Sequence, residues 1–208
     1  MKLKKSVKIV LVVAILLIGA GLFFIAYDSF APKKAAKTAT VVNQIEKYGY
    51  TLKSTRNDTY KDMFQDLQNI LNSDEVDEEA YLEQISKMFV YDFFNLSDKL
   101  ANTDVGGIDF VYSSAKTNFL EKAEDTVYKY VESDIYDNRD QELPVVDSVN
   151  VDNIETVSYT IGTDVTDDNA YQVSLSWTYK KDLGYQTAAI LTFVHEDNKL
   201  ALVEMVQE

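Results

Sequence analysis

Residues 9–27 (IVLVVAILLIGAGLFFIAY) are nineteen consecutive uncharged positions, almost all apolar, behind Lys2, Lys4, Lys5 and Lys8. An α-helix needs about 20 such residues to cross the hydrocarbon core of a bilayer, so this run predicts a transmembrane helix. The small, basic stretch 31–40 (APKKAAKTAT) then reads as a connector. Val41, Val42, Ile45 and Tyr48 recur at helical spacing and predict a short helix ending at Gly49, a residue suited to a C-cap. Residues 50–56 are polar and read as extended or loop.

From Asp58 the periodicity sharpens. Tyr60, Met63, Phe64, Leu67, Ile70 and Leu71 lie on one face of a helix that Asn57 or Asp58 can cap and that residues 72–74 end. A second helix is expected from Asp77, whose carboxylate can accept the orphan amides, with Glu78 and Glu79 in its first turn. Tyr81, Leu82, Ile85, Met88 and Phe89 form its buried stripe, which broadens into Val90, Tyr91, Phe93 and Phe94. Gly106 and Gly107 hinge an extended piece over 105–112, where the pair permits positive φ or a close backbone approach. A third helix is expected from Ser113 or Ser114, with Ala115, Phe119, Leu120, Ala123, Val127, Tyr130 and Val131 on one face.

Beyond Pro144 the period changes from 3.6 to 2. Val145, Val149 and Val151 alternate with polar residues, as do Val157, Tyr159 and Ile161. Tyr171, Val173, Leu175, Trp177 and Tyr179 form the cleanest half-buried strand, and 188–195 and 200–206 supply two more. The intervening turns (162–169, 180–184 and 196–198) are rich in Asp, Asn and Gly and predict an antiparallel meander. Helices followed by a run of strands define an α+β domain with the helices on one face of the sheet.

Charge sets the topology of the membrane segment. Four lysines precede the span and three (Lys33, Lys34, Lys37) follow it, with Asp28 beside them. The bias is small but favours a cytoplasmic N-terminus and a C-terminal domain outside. The rival is a cleaved secretory signal, for which Ser29-Phe30-Ala31 loosely fits a cleavage site. Pro32 after that site and the length of the apolar run favour the uncleaved anchor. The chain thus divides into a cytoplasmic basic tail (1–8), a transmembrane helix (9–27), a linker with a short helix (28–57) and an extracytoplasmic α+β domain (58–208).

Of the 20 basic and 34 acidic residues, 13 and 33 lie beyond residue 37, giving that part a formal charge of about −20. Phosphate neutralisation needs clustered Lys and Arg, so nucleic-acid binding is not expected. Zero cysteine excludes disulfides, iron–sulfur clusters and thiolate metal sites, and leans towards a bacterial source. Asn57-Asp58-Thr59 and Asn95-Leu96-Ser97 match the glycosylation triplet, a pattern that arises easily by chance.

Three helices, a Gly-Gly segment (Gly106, Gly107) between the second and third, and four or five meander strands resemble the nuclear transport factor 2-like domains. The resemblance is one of element order over residues 58–206 and carries no residue-level motif. It implies a strongly curved sheet wrapping a helix around a central cavity. A single anchor ahead of such a domain is similar in layout to the inner-membrane scaffold subunits of type IV secretion and conjugation machines. Fold alone does not assign function among such domains.

Chemistry is sparse. His195, the only histidine, stands beside Glu196 at a strand end, where alternation sends the two side chains to opposite faces. With one histidine and no cysteine, a zinc site of familiar type is excluded. Asp164, Asp167 and Asp168, and Asp137, Asp140 and Glu142, lack the EF-hand spacing and read as solvated loop acids. No G-x-S-x-G elbow exists. No catalytic, cofactor or metal residue is therefore assigned, and no cofactor is expected. Should a cone cavity exist, Phe89, Tyr171 and Trp177 are its candidate lining. The expected role is a non-catalytic interaction or scaffold domain in a bacterial envelope assembly. Its partners would be the bilayer, through the N-terminal helix, and other envelope proteins or further copies of itself. The alternative is a small-molecule-binding or enzymatic cavity domain.

Overall fold

A computed structural model describes residues 34–207. The segments 1–8 and 9–27 lie outside the described residues, and among those residues no helix is long and apolar enough to cross a membrane. The element order is that of an α+β domain. A small hairpin, β1 (Val41–Ile45) and β2 (Tyr50–Lys53), precedes helices α1 (Asp58–Leu71), α2 (Glu78–Phe94) and α3 (Lys116–Asp125). Strands β3 (Val146–Ile161), β4 (Val165–Tyr179), β5 (Ala188–Glu196) and β6 (Lys199–Gln207) follow, as an antiparallel meander in the order β3-β4-β5-β6.

The short helix expected over 41–49 is instead the β1–β2 hairpin. Its turn closes through the amides of Tyr48 and Gly49, both donating to the Ile45 carbonyl at 3.0 and 2.9 Å. Gly49 does take the left-handed conformation a C-cap needs (φ 73°), but it serves a turn. Val41 and Val42 point to solvent, whereas Ile45, Tyr48, Tyr50 and Leu52 are buried. A few apolar positions over nine residues fit both periods, and packing of Tyr50 and Leu52 decided for period 2.

Helices α1 and α2 begin where the caps place them. The Asn57 side chain accepts the Tyr60 amide at 3.0 Å, and Asp77 accepts those of Glu79 and Ala80 at 3.1 Å each. Helix α3 ends earlier than its apolar face suggests. Thr126 (φ −123°, ψ −94°) breaks it, and the chain turns so that Tyr128, not Tyr130, enters the core. Tyr130 is 76% exposed, while the buried Tyr128 hydroxyl donates to the Phe93 carbonyl and accepts the Gly106 amide. The Gly-Gly segment is less extended than predicted: a 3-10 turn spans Ile108–Phe110 before Val111 bridges to Leu202.

The sheet is longer and more continuous than the pattern implied. The two apolar stretches at 145–151 and 157–161 belong to one strand, and β4 starts at Val165, so the turn shrinks to residues 162–164. The pairs Ser158–Asp168 and Thr160–Thr166 extend the ladder into 165–169, positions that read as turn, and Ser148–Thr178 joins the two strands nearer their other end. The outer half of this hairpin runs past the end of β5 as a two-stranded arm. Three register shifts interrupt the pairing of β3 with β4, the last of them, between Val157 and Tyr159, in this arm.

The core lies between α1–α2 and one sheet face. Val173, Leu175, Trp177, Leu191, Phe193 and Leu202 belong to one buried cluster with Phe64, Leu67, Ile85, Phe89 and Phe94. Aromatic contacts are dense: Phe94 packs on Trp177 with centroids 4.6 Å apart, and Phe93 touches Phe94, Phe119 and Tyr128. Asn95, at the end of α2, is fully buried and accepts the Val146 amide that opens β3, so this triplet is structural rather than a glycan acceptor.

A second, charged core pins the loop between α2 and α3. The Asp92 carboxylate on α2 takes Arg56 Nε at 2.6 Å and Lys99 Nζ at 3.0 Å on one oxygen, and the Gly107 amide at 2.8 Å on the other. Lys99 also pairs with Asp98, and Arg56 with Asp104, which in turn holds Lys53. The Lys99 and Arg56 side chains are 0% and 2% exposed. Burial alone would raise the carboxyl of Asp92, but Lys99 and Arg56 outweigh it and hold it well below the ordinary range. Gly106 is required by the same contact, because a Cβ there would lie 2.1 Å from the Asp92 carbonyl oxygen.

Two outcomes follow for stability. Asp92→Ala removes the carboxylate that two buried cations share, leaving Lys99 only Asp98 and Arg56 only Asp104, and should cost about 3 kcal/mol in urea unfolding of the detergent-solubilised chain; a change under about 1 kcal/mol would contradict the network's burial. Gly106→Ala should lower the melting temperature clearly more than Ala at the exposed turn position Gly162, where a Cβ meets nothing within 4 Å.

Candidate functional site

The most chemically distinctive surface lies where the start of α2, the β3–β4 arm and the end of β5 converge. Asp77 fixes the first turn of α2, which places Glu78 at its exposed end. The register shift between Val157 and Tyr159 sets Asp167 on β4 opposite Tyr159, within reach of His195 near the end of β5. Asp197, at φ 53°, then turns the chain tightly into β6, a conformation Asp tolerates.

These elements bring together four side chains that are far apart in sequence. The Asp167 carboxylate accepts the His195 backbone amide at 2.8 Å, and the same oxygen lies 2.9 Å from the imidazole Nδ1. The imidazole Nε2 lies 3.2 Å from a Glu78 oxygen, which also accepts the Tyr171 hydroxyl at 2.6 Å. The Tyr171 and His195 rings are 5.9 Å apart. Partial burial alone would lower the histidine pKa; hydrogen bonds to Asp167 and Glu78, with their charges, outweigh it and raise it. The hydrogen bond to Glu78 pushes the Tyr171 phenol up to about 12. Desolvation opposes ionisation of Asp167, yet the His195 amide and ring hold its carboxyl below the ordinary value.

Glu196 points to the other side of the strand, where it accepts the Ser113 amide at 2.9 Å, as alternation requires. Asp167 is therefore no loop acid: its side chain is only 14% exposed and it orients the imidazole. The site was invisible in sequence because its partners are 28 and 117 residues from His195. The one local signal is the alternation that separates His195 from Glu196.

The three cavity candidates separate. Phe89 and Trp177 are 0% and 2% exposed and packed in the aromatic core. Tyr171 alone lines an open recess, of about 530 Å³, with Glu78, Thr156, Asp167, Asn169 and His195. A second opening, of about 390 Å³, is an apolar groove between α3 and β6 lined by Phe93, Phe119, Val127, Leu202 and Met205. Among the described residues, no group of three or more His, Asp or Glu side chains is arranged to hold a metal ion.

The domain defined by this geometry is an α+β layer of three helices on a four-stranded antiparallel meander, with a His–carboxylate–Tyr cluster at one end. No protein-family model, no curated protein and no solved structure matches the chain.

The sign of the pH dependence is set by the raised histidine. Its contribution to stability is fully present below the unfolded imidazole pKa and is lost as pH rises through the higher folded value. The gap in melting temperature between the parent chain and His195→Gln should therefore be widest in mild acid and close in alkali. A gap that widens with rising pH would contradict the assignment.

Proposed function

We propose that this chain is a single-pass membrane protein of a bacterial envelope, holding outside the cell membrane a domain that works by protein contact. The lysine-flanked apolar run at 9–27 supports the anchor. The order of three helices followed by a four-stranded antiparallel meander supports a kinship with the nuclear transport factor 2-like domains.

The observation that carries the contact reading is how the interior is filled. The space between helices and sheet, where a cavity domain would hold its ligand, is occupied by Phe89, Phe93, Phe94 and Trp177, each 2% exposed or less. What the domain offers to other molecules is its outside. Of the 33 acids and 13 bases beyond residue 37, only Asp92, Arg56 and Lys99 are buried among the described residues, so that outside is strongly acidic, and it also carries the apolar groove along β6. Such a surface favours a protein partner with a basic face and repels nucleic acid and anionic lipid.

The His195 cluster favours a second reading, a small polar ligand held in the recess beside Tyr171. The two readings part experimentally. Under the first, gentle solubilisation of membranes co-purifies the full-length chain with defined envelope proteins, and the complex weakens steeply as salt is raised. Under the second, a thermal-shift screen of small metabolites stabilises the chain, and His195→Gln abolishes that shift. A chain that purifies alone at low salt, with such a ligand-dependent shift, would overturn the contact reading.

A further inference from the structure

Glu78 and His195 line two separate recesses at once. One, of about 530 Å³, lies on the Asp167 and Tyr171 side; the other, of about 250 Å³, lies on the side of Tyr48, Tyr81 and Asn198. The two residues that both recesses share touch each other, His195 Nε2 lying 3.2 Å from a Glu78 oxygen. We propose that this contact is a proton-operated partition, closed while the imidazole is a cation and open once it is neutral.

The argument rests on donors and acceptors. An imidazolium donates from both nitrogens, so it satisfies Asp167 through Nδ1 and Glu78 through Nε2 together. A neutral imidazole has one N–H, and one carboxylate must then face a lone pair. Burial decides which. The Asp167 side chain is 14% exposed and already accepts the His195 backbone amide, so losing the ring N–H would leave a carboxylate with little water to replace it. The Glu78 side chain is 50% exposed and keeps the Tyr171 hydroxyl, so it can return to water at little cost. The proton therefore stays on Nδ1, and Nε2 and the Glu78 carboxylate repel.

The surrounding charges act in the same direction. Glu78 and Glu79 face the site from α2, Asp167 and the Tyr171 phenol from β4, and Asp197 and Lys199 from the β5–β6 turn. Carboxylates outnumber the one lysine, so loss of the imidazolium leaves net negative charge around Glu78 and drives the pair apart. Opening joins the two recesses into one continuous trough. This inference stands on the local geometry and is independent of the contact reading above.

The single histidine makes the test direct. The full-length chain, labelled with nitrogen-15 histidine and held in detergent micelles, gives one imidazole to follow by long-range proton–nitrogen NMR across pH 5–9. The neutral form is expected to carry its proton on Nδ1. Broadening of the Cε1 proton by a soluble neutral nitroxide should rise as the ring deprotonates. In Glu78→Gln the neutral amide can donate or accept, so the broadening should stay flat and proton affinity should fall roughly threefold. A neutral ring protonated on Nε2, broadening unchanged through the parent's titration, or a Glu78→Gln midpoint equal to the parent's would each overturn the partition.

Discussion

The domain depends on one buried carboxylate. Asp92 projects from the last turn of α2 into a space with too little water to solvate it, and three donors from three segments converge there: Arg56 before α1, Lys99 after α2, and the Gly107 amide in the loop that leads to α3. An uncompensated charge at this depth would cost several kcal/mol, so each segment is held by what its departure would leave unpaired. The pairing need not add net stability over an apolar core of the same shape. Its effect is to fix where the chain after α2 must run.

That constraint propagates to both ends of the molecule. The loop 98–107 is drawn against α2 so closely that Gly106 has no room for a side chain, and Tyr128 locks it from behind by bonding both Gly106 and Phe93. The chain then delivers Val111 and Tyr112 to the free edge of β6, where the Tyr112 amide donates to the Leu202 carbonyl at 2.9 Å. Only the first part of that edge is covered, and the groove between α3 and β6 begins where the coverage stops. Near the other end of α2, Tyr50 and Tyr81 share a hydroxyl–hydroxyl bond, and the Tyr81 hydroxyl accepts the Leu200 amide at 3.2 Å. The small hairpin, the helix and the last strand are thus tied through tyrosine hydroxyls that burial would otherwise penalise.

Local signals in the sequence were reliable where the chemistry itself is local. Asn57 and Asp77 are legible as caps because the groups they satisfy lie two or three residues on. The alternation from Tyr171 to Tyr179 reads as a half-buried strand because one face meets the core directly. Reading failed where long-range packing decides. The 41–49 segment fits a helix as well as a hairpin until Tyr50 and Leu52 find their places in the core. The start of β4, 165–169, looks like turn because few of its side chains are buried, yet Ser, Thr and Asp pairs across the ladder hold it extended against β3. The ion network and the His195 cluster join residues up to 51 and 117 positions apart, and no spacing rule encodes such pairs. Phe89 and Trp177 are legible as apolar and inward because they lie on the apolar faces of α2 and β4, whereas what they pack against is not encoded locally.

The proposed role places the domain on the far side of the membrane from the lysine cluster at Lys2, Lys4, Lys5 and Lys8. External protease added to intact cells or protoplasts tests this most directly. Digestion of the domain without lysis, with the N-terminal tail protected, is the result expected of an exported domain on an uncleaved anchor. Full protection of the domain until the membrane is broken would contradict it, and with it the role in an envelope assembly.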